Sequence, residues 1–408
     1  MLGHGLVHWF EMSIPIFLVV WRDDPGASVV LAGLVIALGY VPFGLGSLPG
    51  GVLADRFGPK RIILACYAGM SISFMLLGFA SSMFTIAIAL VLWGIAASVY
   101  HPAGNALIST GARSRGTVFA YHGMAGNAGI ALGPFTAATL LIFFDWQWVA
   151  ILLAIPGLLA VLYGLQADFD PTAATAAETD AEAGTPLTLS TFLSNSKRLL
   201  ASAFLIVFVI VAFEGLFYRG ILTFLPDILH DLPAIQNVEF ADALEGFSPG
   251  DYVFVGLLVI GMAGQFVGGK LTDRVAVERG LVVMFGILAV LALAFVPISA
   301  LGLVPLLVYS AVLGFFLFAI QPFYQVAVAL YTPADTRGLS YGYTFMAEFG
   351  VGAFSVAIGG VVIGFYSVTA FFALLAGFAL VAAALSLLLV VGRDRFTFVR
   401  RTEVESAD

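Results

Sequence analysis

Gly50-Gly51-Val52-Leu53-Ala54-Asp55-Arg56-Phe57-Gly58-Pro59-Lys60-Arg61 is a short polar interruption between two long apolar runs, and it has a second copy. Gly268-Gly269-Lys270-Leu271-Thr272-Asp273-Arg274 repeats its Gly-Gly-x-Leu-x-Asp-Arg pattern late in the chain. Two further marks return in the same order. Gly94 with His101-Pro102 reappears as Gly314 with Gln321-Pro322, and Arg115-Gly116 reappears as Arg337-Gly338. A repeat on this scale divides the chain into two equivalent halves.

The runs between these marks belong in lipid. Of 408 residues, 61% are hydrophobic and only 10% charged, with a mean hydropathy of +1.04; a soluble chain carries about 25% charged residues. A spanning helix needs roughly 20 mostly apolar residues, and only helices or closed barrels satisfy every backbone polar group in hydrocarbon. Runs such as 199–213 and 371–391 are continuous and do not alternate, which excludes a barrel. Spans are expected over 2–20, 28–49, 62–80, 83–110, 116–143 and 146–166, then over 199–230, 252–272, 280–300, 303–331, 338–366 and 368–391. The fold class is therefore an all-α membrane protein of twelve transmembrane helices. It has a first six-helix bundle (1–166), a linker (167–198), a second bundle (199–392) and a tail (393–408). The linker opens ADFDPTAATAAETDAEAGTP, which cannot bury a core and is expected to be disordered.

Charge placement orients the bundle. Of 17 Lys and Arg, Arg22 alone falls at the far ends of the spans and Arg219 lies inside one; the rest gather with the repeated loop, the linker and the tail. The positive-inside rule puts these, and both termini, in the cytoplasm of a cell-membrane protein. The segment 231–251 carries Asp231, Glu239, Asp242, Glu245 and Asp251 and no base, and so faces out. Net charge is −8 without any basic stripe, so nucleic acid is not an expected partner. No basic n-region or small-residue cleavage site precedes the first apolar run, which reads as a span and not a cleaved signal. Cys66, the single cysteine, sits in an apolar stretch as a small buried hydrophobe.

Internal symmetry between halves marks many secondary transporters, with the site between the halves near the bilayer midplane. GGVLADRFGPKR resembles the signature loop of the major facilitator superfamily, and the twelve spans, the long central linker and the second loop copy extend that resemblance over the whole chain. SVYHPAGNALIS followed by AGNAGIALGP resembles a subgroup containing fosmidomycin-resistance-type exporters. The resemblance implies alternating access, with spans one, four, seven and ten lining a cavity and the signature loop latching the cytoplasmic side.

The loop's residues suit that role. Gly50 and Gly51 allow close helix approach, Asp55 can face a helix N-terminus and its partial positive charge, and Arg56 and Arg61 offer partners to acids or headgroups. Gly51, Asp55, Arg56, Gly58 and Arg61, with Gly269, Asp273 and Arg274 of the second copy, are the expected gating residues. The simpler alternative is that the bases only set topology.

Ionisable groups within spans are costly and point to function. On the first span His4, His8 and Glu11 fall at 0°, about 40° and about −20° around the helix, one narrow face. His4 is near enough to the start to be interfacial only. Span four carries His101, then Pro102, which frees a carbonyl one turn back, then Asn105. Span five adds His122; span seven adds Glu214, Tyr218 and Arg219 between Gly215 and Gly220; span ten adds Gln321 and span eleven Glu348. Each could instead be a packing contact, His101 for example stabilising a kink. Arg219 stands about 140° from Glu214, so either the helix breaks between them or they serve different partners. His230, near the end of span seven, is expected in solvent.

Histidines and desolvated carboxylates suit proton exchange. There is no GxxxxGK[ST] loop and no cytoplasmic segment long enough for a nucleotide-binding domain, so neither a cofactor nor enzymatic activity is expected. His4 and His8 have ligand spacing, but no Cys or carboxylate cluster accompanies them, so no metal site is expected. Gly129-Ile130-Ala131-Leu132-Gly133-Pro134 resembles the core of the exporters' antiporter motif, although Ala137-Ala138 and Ala120 stand where glycines are usual. The expected function is export of a small molecule by proton antiport, with substrate, protons and the lipid bilayer as partners of a monomer. The alternatives are proton-linked uptake of an organic anion on Arg219 and, remotely, a non-transporting sensor or scaffold.

Overall fold

The computed structural model describes residues 1–22, 27–112, 115–167, 189–238, 248–332 and 337–396, apart from some side chains, Asp55 among them. The first half contains α1 (Leu2–Trp21), α2 (Val29–Leu45), α3 (Ser47–Phe57), α4 (Pro59–Gly78), α5 (Met83–Ser98), α6 (Tyr100–Gly111), α7 (Arg115–Leu141) and α8 (Trp146–Gln166). The second contains α9 (Leu189–Leu200), α10 (Phe204–His230), a short α11 (Pro233–Gln236), α12 (Pro249–Thr272), α13 (Val277–Ser299), α14 (Leu303–Ala319), α15 (Gln321–Leu330), α16 (Arg337–Phe345), α17 (Ala353–Phe365) and α18 (Val368–Phe396). A π-helical turn, Met346–Val351, joins α16 to α17.

Among the described residues eleven helices are long and apolar enough to cross a bilayer, or twelve when α2 and α3, bent by 43°, are taken as one span. The bend lies just before Pro49, which has no N–H to donate to the Leu45 carbonyl a turn back. Spans four and ten each run on as one span, with a one-residue interruption of the helix just before Tyr100 and Gln321. The cause is shared: Pro102 and Pro322 lack the N–H that would continue the helix.

Packing repeats as the sequence does. In the first half α1 lies on α7, α2 on α5 and α4 on α8; in the second α10 lies on α17, α12 on α14 and α13 on α18. Gly94 and its counterpart Gly314 explain one of these pairings. A Cβ at Gly94 would collide with the main-chain oxygen of Gly39, and one at Gly314 with that of Leu257, so only glycine lets α5 and α14 lie on their neighbours. The halves meet along α1 with α10, α2 with α17 and the π-helical turn, and α7 with α12. Of their most apolar stretches, 78% of α1 and 67% of α10 is buried, against 33% of α8 and α18. The first pair runs through the protein; the second lies at its surface.

The linker needs one correction. Its last residues, expected to be disordered to 198, form helix α9. Ser196 and Leu199 are buried while Lys197 and Arg198 stay exposed, the two-faced pattern that stabilises a helix at a surface. Span seven accordingly begins at Phe204, not 199. The acid-rich part of the linker (168–188), the middle of the acidic loop (239–247) and the end of the tail (397–408) lie outside the described residues.

Candidate functional site

The polar face of α1 is real, and it points inward. His8 Nδ1 donates to Glu11 Oε2 at 2.5 Å, one helical turn along. The other Glu11 oxygen accepts from Nη2 of Arg219 on α10, and both side chains of this ion pair are 1% exposed. The guanidinium lies 4.5 Å over the Tyr40 ring and 4.7 Å over the Phe349 ring, so aromatic faces complete its surroundings. Tyr40 also donates from its hydroxyl to the Glu11 main-chain oxygen, at 3.3 Å. Helix α10 is continuous from Phe204 to His230. Glu214 and Arg219 therefore serve different partners.

Four of the five histidines meet beside this pair. The break before Tyr100 starts α6 close to α1 and sets the His101 ring centre 5.2 Å from that of His4 and 5.5 Å from that of His8. Helix α7 brings His122, because Gly129 and Gly133 lie directly on the Gly5 and Trp9 carbonyls of α1, where any side chain would collide. The small residues of the antiporter-like stretch thus pack α7 against α1. His122 stacks on His4 with ring centres 4.0 Å apart, and its main-chain oxygen accepts from His4 Nδ1 at 2.7 Å. His4 is therefore part of the cluster rather than merely interfacial. Tyr100 Oη lies 3.3 Å from His122 Nε2. Asn105 is half-buried one turn further along α6.

The second half does not copy this arrangement. Gln321, the counterpart of His101, accepts from Gln265 Nε2 at 3.3 Å and so turns to α12. Glu348 lies on the π-helical turn, and α10 touches that turn at Gly215, where a Cβ would press on the Glu348 main chain. Such turns inside α-helices are frequent at functional sites. Glu214 is 1% exposed and neither carboxylate oxygen has a hydrogen-bond partner among the described residues. Tyr218 packs edge-on to Phe318, with ring centres 5.8 Å apart, and lies beside Arg219.

The signature loop is partly as expected. A Cβ at Gly50 would come within 2.8 Å of Pro102, and Gly51 faces the same ring; Gly269 faces Pro322 in the second copy. Gly58 adopts φ 83°, a conformation that favours glycine, and turns the chain from α3 into α4. Arg56, Arg61, Asp273 and Arg274 are exposed. Helix α3 abuts α16, with Leu48 against Gly342, so the helix that carries the loop packs on a helix of the other half. The Asp55 side chain, on which the latch depends, lies outside what is described.

A contact that sequence reasoning missed closes the opposite end. Arg22, read only as an exception to the charge rule, reaches Asp227 at 2.8 Å and binds both carboxylate oxygens of Asp231 at 2.6 and 2.7 Å. These pairs tie α1 to α10. The hydrogen bond from Arg22 holds the Asp231 carboxyl below its ordinary pKa. A lone base facing an acid-rich segment was the available signal. His230 lies nearby, half-buried, with Nδ1 3.4 Å from Ser248 Oγ.

Known proteins place this architecture. The chain resembles a Na+, Li+, K+/H+ antiporter of Planococcus maritimus, 28% identical over 163 residues, which is 38% of this chain and 37% of that protein. It also resembles a puromycin resistance protein of Streptomyces alboniger, 33% identical over 144 residues, 35% of this chain and 29% of that protein. The matched segments thus span well under half of either relative. In three dimensions it superposes on a mutant of the nucleoside transporter NupG with a TM-score of 0.74 at 14% identity, covering 95% of this chain and 100% of the other. That likeness is one of fold. The family profile of the Major Facilitator Superfamily matches residues 1–355. With the paired halves and the repeated loop, that match makes the chain a member of the major facilitator superfamily.

Proposed function

We propose that the protein is a secondary transporter that exports a small molecule across the cytoplasmic membrane by exchange with protons, with both termini inside. The observation that carries this reading is Glu11, a buried carboxylate held by His8 of its own half and Arg219 of the other. Charged, it ties the halves together at mid-depth. A proton delivered through His8 cancels that charge and leaves Arg219 buried without its counter-ion, a state costing several kcal/mol. The halves then have reason to part. Arg22 with Asp227 and Asp231 closes the outer end, and the signature loop against α16 closes the inner one, so a rocking motion exchanges the two.

The resistance protein and the cation/proton antiporter among the relatives, and the exporter-like Tyr100-His101-Pro102-Ala103-Gly104 stretch, support the outward direction. Uptake of an organic anion needs a free Arg219, and here it is paired and covered by Tyr40 and Phe349. The test has two stages. A thermal-shift screen of the purified protein against organic anions, cations and antibiotics supplies a substrate, and vesicles with an imposed pH gradient then report the coupling. Antiport accumulates substrate in the acidic compartment. Accumulation in the alkaline compartment would establish symport, and indifference to the gradient would remove proton coupling.

A further inference from the structure

The histidine cluster has a geometry that proton exchange does not require. His4 Nδ1 lies 2.7 Å from a main-chain oxygen, which only accepts, so this nitrogen carries the ring's proton. His8 Nδ1 faces a carboxylate whose other oxygen is engaged by Arg219, so it is the donor there too. In their neutral forms both rings then present bare Nε2 lone pairs, and the two Nε2 atoms face one another at 3.1 Å. Two lone pairs at that distance repel unless a proton or a metal cation lies between them. His101 brings a third imidazole, and one ligand atom from each of the three rings falls within 4.8 Å of the others.

We propose that His4, His8 and His101 form a binding site for a divalent transition-metal ion of the zinc class. Two ligands of a tetrahedral zinc are about 3.3 Å apart when each bond is 2.0–2.1 Å, close to the His4–His8 separation, and a small shift of His101 completes three ligands. His4 and His8 stand at i and i+4 on one helix face, the spacing by which helices hold metals. The supporting groups are those a metal-bound histidine needs. A carbonyl oxygen orients His4 and a carboxylate orients His8, each fixing the tautomer that leaves Nε2 to the metal. Phe43, Phe345 and Phe349 pack on His101, with ring centres 6.1, 4.8 and 5.7 Å away, and keep water from that side. Imidazole donors suit zinc, nickel and copper better than calcium or magnesium. With three protein ligands one coordination position stays open, as in sites that exchange a ligand rather than only bind structure together.

The site was hidden in the sequence because its third ligand comes from another span. It stands on geometry, independently of proton-coupled export. The experiment titrates chelator-washed protein in detergent with Co2+ and follows the visible absorption of the bound ion. The expected result is one saturable four-coordinate Co2+ per chain, displaced by Zn2+. His101→Gln and His4→Gln should each weaken binding more than about 100-fold, and Glu11→Gln, which removes the charge that orients His8 and pairs with Arg219, by about 10–100-fold. His230→Gln, outside the cluster, should bind as wild type. Size-exclusion profiles identify any variant that misfolds, and the remaining variants then decide. Absence of saturable binding in the wild type overturns the site, as does binding that survives His101→Gln and His4→Gln in folded protein. Because binding is read at equilibrium without a membrane, a failure of coupled export would leave this result untouched.

Discussion

Arg219 of α10 and Glu11 of α1 form an ion pair that joins the two halves, with each side chain 1% exposed. The residues come from opposite repeats, so the contact exists only when the halves are together. A buried pair of this kind adds little net stability while intact, but losing one partner costs about 3–5 kcal/mol. It therefore suits a switch better than a strut.

Glu11→Gln keeps the size and a hydrogen bond but cannot titrate. It should abolish substrate accumulation driven by a pH gradient while substrate exchange at equal pH persists in part. Arg219→Ala should be worse, destabilising the protein by about 3–5 kcal/mol, read as a lower thermal midpoint in detergent. Undiminished gradient-driven transport by Glu11→Gln would move attention to Glu214 and Glu348, the other buried carboxylates between α10 and the π-helical turn.

Arg22→Gln should open the end of the bundle opposite the signature loop. Spin labels at Ser28 and Asn237, both exposed, would report a longer distance distribution. The pH dependence follows from Asp231, whose pKa Arg22 lowers. A lowered carboxyl pKa contributes stability that is fully present above the unfolded value of about 4 and is lost as pH falls through the lowered one. The wild-type distances should thus be flat from about pH 5 to 8 and lengthen only in stronger acid. Lengthening near neutrality would assign the closure to another group.

Gly94→Leu tests the packing of the repeat. Its Cβ would fall on the Gly39 carbonyl oxygen, and overpacking of this sort costs about 1–3 kcal/mol or more. The variant should show a lower thermal midpoint, and Gly314→Leu should do the same through Leu257. Gly377→Leu, at a position with open space around it, should be tolerated.

Orientation is tested by cysteines at Ala176 and Ala243, since the native Cys66 is 1% exposed and gives little background. An impermeant thiol reagent applied to intact cells should label Ala243→Cys and spare Ala176→Cys. The reverse pattern would invert the protein and with it the direction of export.

The sequence by itself determined the number of spans, the two halves and the ends of the bundle where the bases lie. Those follow from local facts: continuous apolar runs, a repeated Gly-Gly-x-Leu-x-Asp-Arg loop, and bases gathered at one side of the spans. The shared face of His8 and Glu11 was legible too, because helical periodicity is local. Only the tertiary structure decided what that face meets. Whether Arg219 pairs with Glu214 stayed open until α10 was seen to be continuous, and its partner is 208 residues away. His101 and His122 join His4 and His8 because Gly129 and Gly133 let α7 lie on the α1 backbone, while Gln321 turns to Gln265 instead. How closely two spans approach, and at what rotation, depends on small residues meeting across the bundle, and no periodicity within one span carries that information.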